Sequence, residues 1–79
     1  MLRLSQKEVK ILRFVRNSRH KTTVQEIADG VSLPGDEVEV FVQGMVQQKL
    51  LNEVHGATPS ENSYYTNPEN REQIYDLIG

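Results

Sequence analysis

Five apolar residues, Val38, Phe41, Val42, Met45 and Val46, recur at i, i+3, i+4, i+7 and i+8, and the pair Leu50-Leu51 leads on from them into Asn52-Glu53-Val54. Few folds satisfy both halves of that pattern. The spacing sets one stripe of a helix against a core, and its collapse at Leu50-Leu51 marks where the helical period gives way to a strand. Upstream, Thr23 and Glu26 make a T-x-x-E capping box. Val24, Ile27, Ala28 and Val31 then give a shorter helix one apolar face. Between the two helices, Gly30 to Gly35, with Pro34 inside, is expected to break the chain and leave Leu33 as the apolar anchor of the turn. The second helix is expected from about Asp36. Residues 22–54 thus read as short helix, tight turn, longer helix and the first strand of a hairpin.

The flanking segments fill in the rest of a small domain. Ser5 opens S-Q-K-E, a second capping box closed by Glu8, and a first helix is predicted over residues 6–18. Val9, Ile11, Leu12, Phe14 and Val15 form a broad apolar arc, with Lys10 and Arg13 opposite it and Lys7 and Arg16 on its borders. Thr22 and Val24 suit a short strand, which Thr23, as a helix cap, keeps brief. After the long helix, residues 51–55 and 63–66 read as a hairpin, and its turn is filled by Gly, Pro, Ser and Asn. Strand alternation sends one of Tyr64 and Tyr65 inward and the other outward. Asn67-Pro68 ends the return strand. Residues 70–78 then form a short helix whose apolar residues are Ile74, Tyr75, Leu77 and Ile78, and it either closes the core or pairs with a second copy.

The skeleton Val38, Val42, Met45, Leu50, Leu51 resembles that of the winged-helix superfamily. The resemblance implies an α+β, mainly α fold: a winged helix-turn-helix with a three-helix core, a β-hairpin wing and a short C-terminal helix, as a single domain over residues 1–79. That superfamily usually places Gly before the last apolar pair. Here the residue is Lys49, which implies a tighter or longer helix end. A second similarity, over residues 4–66, rests on L-S-Q-K-E-V-K-I-L and on V-x-x-x-V-x-x-M in the long helix. It is to the C-terminal winged-helix domain of the middle subunit of eukaryotic replication protein A, and it implies a protein-recruitment module with an acidic binding surface. The runs E-V-K-I-L-R-F, T-T-V-Q-E-I-A and A-T-P are similar to those of Z-DNA-binding winged helices. That resemblance implies readout by a Lys, an Asn and a Tyr, but the matching positions fall near Gly35, Glu39 and Gln43, and none of the three matches.

At 79 residues without Cys, the chain has neither disulfides nor a thiolate zinc site to stabilise it, so packing, with or without self-association, must suffice. No secretory leader and no apolar run near membrane-spanning length is present, so the expected location is cytoplasmic, or nuclear in a eukaryote, with no membrane partner. His20 and His55 lack metal-ligand spacing, and neither a phosphate-cradling Gly loop nor a nucleophile with a plausible His and acid occurs. No metal, no cofactor and no enzymatic activity are expected.

The net charge of -2 hides an asymmetry: residues 1–21 hold seven Lys and Arg against one acid, and residues 22–79 hold two against ten. Rotation by about 100° per residue puts Asp36, Glu37, Glu39, Val40, Gln43, Gly44 and Gln47 on the exposed face of the long helix. Carboxylates there oppose phosphate, whose neutralisation by Lys and Arg dominates duplex binding. Two functions are expected. The leading one, implied by the winged-helix resemblance although the charge pattern argues against it, is DNA binding in transcription control, with double-stranded DNA as partner and a homodimer as the assembly. Lys10, Arg13, Arg16, Arg19 and Lys21 are then backbone contacts, and Gln43 and Gln47 contact bases. The alternative is a recruitment module in which a basic partner helix docks on Asp36, Glu37, Glu39, Val40 and Gly44. Gly44 either admits a partner's backbone or relieves crowding against the first helix.

Overall fold

The computed structural model describes residues 4–78, so Arg3, one of the seven basic residues counted over positions 1–21, lies outside the described residues. Both capping boxes form. Ser5 Oγ accepts from the Glu8 N–H, and Glu8 Oε1 accepts from the Ser5 N–H at 3.0 Å; Thr23 and Glu26 repeat the exchange. These start α1 (Gln6–Asn17) and α2 (Val24–Val31). Helix α1 ends one residue sooner than expected, because the Ser18 hydroxyl turns back to donate to the Phe14 carbonyl at 2.8 Å.

Helix α2 does not break at Gly30. It continues through Gly30 to Val31, and there the lack of a side chain serves packing instead: a Cβ on Gly30 would lie 2.2 Å from the Phe14 ring of α1. The break comes at Ser32, which takes a left-handed φ of 59° while the N–H of Leu33 donates to the Ala28 carbonyl. Helix α3 (Gly35–Gln47) follows, its Val38, Val42 and Met45 fully buried and its Phe41 and Val46 half-buried at the edge of the stripe.

At the end of α3, Lys49 adopts the left-handed conformation itself, with φ 65°. The Lys49 N–H donates to Val46 and the Leu50 N–H to Met45, the paired bonds of a Schellman motif. The helix therefore stops where a Gly would stop it, rather than becoming tighter or longer. Asn67 locks this turn by donating from Nδ2 to the Lys49 carbonyl at 3.0 Å and from its own N–H to the Leu50 carbonyl.

Three antiparallel strands, β1 (Thr22–Thr23), β2 (Leu51–Val54) and β3 (Ser63–Thr66), pair in the order β1-β3-β2, with Thr22 opposite Tyr64 and Leu51 opposite Thr66. Tyr64 points inward and is 2% exposed, whereas Tyr65 points outward and is 37% exposed. A 3₁₀ turn at Pro68–Asn70 leads to α4 (Arg71–Ile78). Ile74 and Ile78, one turn apart, seal the core against α1, but Tyr75 does not join them: it stands 63% exposed. None of these helices is long and apolar enough to cross a membrane.

Candidate nucleic-acid interface

Helix α3 presents Asp36, Glu39, Val40 and Gln47 to solvent, with Glu37, Gln43 and Gly44 half-buried beside them. Its acidity is partly compensated from α1, since Lys7 Nζ lies 2.6 Å from Glu37 Oε1. The pair is exposed and contributes little to stability, but it lowers the charge at the leading end of α3.

Gln43 is not free to read a base. Its Nε2 donates to Glu53 Oε2 at 3.0 Å and to the Tyr64 hydroxyl at 3.2 Å, and that hydroxyl donates to the same Glu53 oxygen at 2.8 Å. One side chain each from α3, β2 and β3 thus closes a ring that clamps the wing to the helix. Donation from Gln43 and Tyr64, helped by nearby His55, holds the Glu53 carboxyl below the usual carboxylate range. Burial, with the Glu53 charge beside it, pushes the Tyr64 phenol up. Gly44 does not relieve crowding against α1: a Cβ there would meet nothing within 4 Å.

The five basic residues singled out in the sequence divide between two hollows. Lys10 and Arg13 border a hollow with Gly30 and Ser32, whereas Arg16, Arg19 and Lys21 border another with Tyr65. Arg13 Nη2 also donates to the Ile78 carbonyl at 2.7 Å, placing a cation at the negative end of α4. Arg16 is half-buried, with its guanidinium carbon 5.7 Å from the Tyr75 ring centroid. Arg19 and Lys21 are exposed on the loop before β1, and His20 between them faces Glu26 at 3.2 Å. Next to this loop, a hollow of about 430 Å³ opens between α1, β3 and α4, where Arg16, Tyr65, Arg71, Ile74 and Tyr75 converge. Arg71 and the two tyrosines escaped the sequence reading. The one available signal was the i, i+4 spacing of Arg71 and Tyr75, which puts both on one helix face.

No protein-family model matches this sequence, and no curated protein does. Solved structures do match. Staphylococcus aureus MarR, in complex with salicylate and kanamycin, aligns with a TM-score of 0.79 at 14% identity, over 91% of this chain and 48% of that one. The S. aureus MepR–DNA complex aligns at 0.76 and 12% identity, over 92% of this chain and 60% of MepR. Transcriptional regulator PA3341 gives 0.75 and 22% identity, over 91% and 53%. The chain therefore spans about half the length of the structures it matches. With four helices, a β1-β3-β2 sheet and a β2–β3 hairpin that align over nine-tenths of the chain with these proteins, the fold is a winged helix.

Proposed function

We propose that the chain is a DNA-binding regulatory module of transcription control that presents α3 to the duplex with the β2–β3 wing alongside. The observation that carries this reading is the alignment of 92% of the chain with MepR in a DNA complex. Two features of the surface support it. Lys7 offsets Glu37, and Glu53 is occupied within the wing clamp, so Asp36 and Glu39 remain as the acids that face outward from α3. Gln47 and Val40 are both exposed on that face, the one suited to an adenine edge and the other to a thymine methyl. Gln43 contacts a base only after leaving Glu53. Lys10, Arg19 and Lys21 supply phosphate contacts, and Arg13 and Arg16 join them while keeping their contacts to Ile78 and Tyr75.

The test is fluorescence anisotropy with random-sequence duplex at low and moderate salt. Micromolar binding that weakens steeply with salt is expected, and Lys21→Ala should reduce the slope of log K against log salt by about 1. No binding even at low salt would overturn the reading. A second reading keeps one specific observation in its favour: Val40 is 71% exposed beside Asp36 and Glu39, with open space over Gly44. That notch suits a basic amphipathic partner helix, and Glu39→Lys should then abolish capture of such a peptide.

A further inference from the structure

We propose that, without DNA, copies of this chain associate head to tail, with α3 of one copy seated in the hollow between α1, β3 and α4 of the next. The two most exposed large apolar side chains of the described residues are Val40, at 71%, and Tyr75, at 63%. They sit in opposite electrostatic settings. Val40 follows Asp36 by one helical turn and adjoins Glu39. Tyr75 stands in a hollow with Arg16 and Arg71, and the adjoining hollow carries Arg19 and Lys21. No Asp or Glu lines either hollow among the described residues, although the chain as a whole is acidic. Glu72 and Asp76 fall farther round α4 and line neither.

This arrangement selects one kind of assembly. Two-fold pairing through either patch would set like charges against each other, and like-charge juxtaposition disfavours a contact strongly. Joining unlike patches brings carboxylates to guanidinium groups and one apolar centre to another. Because the two patches share no residue, the contact is heterologous and either closes into a ring or propagates. Gly44, one turn beyond Val40, removes a shoulder that would keep α3 away from the hollow, and a Cβ there has open space over it in the single chain. The association stands apart from the DNA reading. Only its consequence, that α3 is masked until a duplex displaces the neighbouring copy, rests on that reading.

Sedimentation velocity of the chain without DNA tests it, with low salt (~50 mM) compared with high salt (~500 mM), where the screening length is several-fold shorter. A sedimentation coefficient that climbs with concentration at low salt and returns to that of a 9.0 kDa monomer at high salt is expected. Asp36→Lys with Glu39→Lys should leave the chain monomeric at low salt, and so should Arg71→Glu. An equimolar mixture of these two variants should associate again, since each offers the surface the other has lost. All the altered residues are exposed, and circular dichroism checks that each variant keeps its helices. A monomer at every salt concentration overturns the proposal. So does association that survives in both variants, or a mixture that stays monomeric. Protection of Tyr75 by a single-stranded oligonucleotide on a monomeric wild-type chain would assign the hollow to nucleic acid and overturn it equally.

Discussion

Lys49 holds a left-handed backbone, φ 65°, at a helix end where a Cβ crowds the following carbonyl, a strain of about 1–2 kcal/mol. Lys49→Gly relieves it, less the greater unfolded-state freedom of Gly. The expected net stabilisation is about 0.5–1 kcal/mol, read as a rise of several degrees in Tm. Two glycines respond in opposite ways to the same Ala substitution. Gly44→Ala meets no neighbour and gains helix propensity, so it should stabilise by roughly 0.5–1 kcal/mol. Gly30→Ala drives a methyl into the Phe14 ring and should destabilise by about 1–2 kcal/mol, measured by urea denaturation. Their difference was not legible in the sequence. Gly30 reads as a breaker because it stands near Pro34, and only the approach of α1 shows that it is a contact. The Lys49 site was half legible: the position calls for Gly by pattern, but that Lys takes the Gly conformation follows from Asn67, eighteen residues on, holding its carbonyl.

At the scale of elements, local signals did most of the work. Capping boxes fixed both early helix starts, and alternation set one of Tyr64 and Tyr65 inward without saying which; the fold buries Tyr64. Tyr75 was left unplaced, because α4 is too short for its period to separate a buried face from a flank; Ile74 and Ile78 alone settle its orientation. The clamp between α3 and the wing is a tertiary property, invisible until Gln43, Glu53 and Tyr64 are brought together. It makes stability depend on pH at both ends. The Glu53 pKa is lowered in the fold from its ordinary 4.5, so its contribution is complete above about 4.5 and is lost as pH falls through the folded value. Tyr64 is shifted upward from 10.0, so its contribution is complete below about 10 and is lost as pH rises further. Glu53→Gln should flatten the acid limb in urea midpoints taken across about pH 3–6. Tyr64→Phe should flatten the alkaline limb and destabilise by about 1–2 kcal/mol through the lost hydroxyl bonds.

For the molecule as a whole, the fold was legible because its core is periodic, and the working surface was less so because charge along a chain is not charge in space. The seven basic residues of positions 1–21 read as one side of the protein. Helical rotation instead sends Lys7 to Glu37, Arg13 to the end of α4 and Arg16 to Tyr75, while Arg19 and Lys21 border a hollow that adjoins the one lined by Arg71. An acidic α3 face and a basic hollow then coexist on a domain whose Cα radius of gyration is 11.4 Å. The Debye length at physiological salt, about 8 Å, is shorter than that radius, so ionic strength should govern both the proposed DNA affinity and the proposed self-association.

If α3 meets DNA as proposed, the ring of Gln43, Glu53 and Tyr64 also bears on fidelity. A nucleotide sequence that offers an adenine to Gln43 must first draw that amide away from Glu53, exchanging one acceptor for another and leaving the hairpin less firmly tethered. Recognition at that base pair and rigidity of the hairpin are thus thermodynamically linked with opposite sign. Amide hydrogens of Glu53 and Val54 would exchange faster on a site read by Gln43 than on a site held by phosphate contacts alone, so the wing would report which kind of site the protein has found.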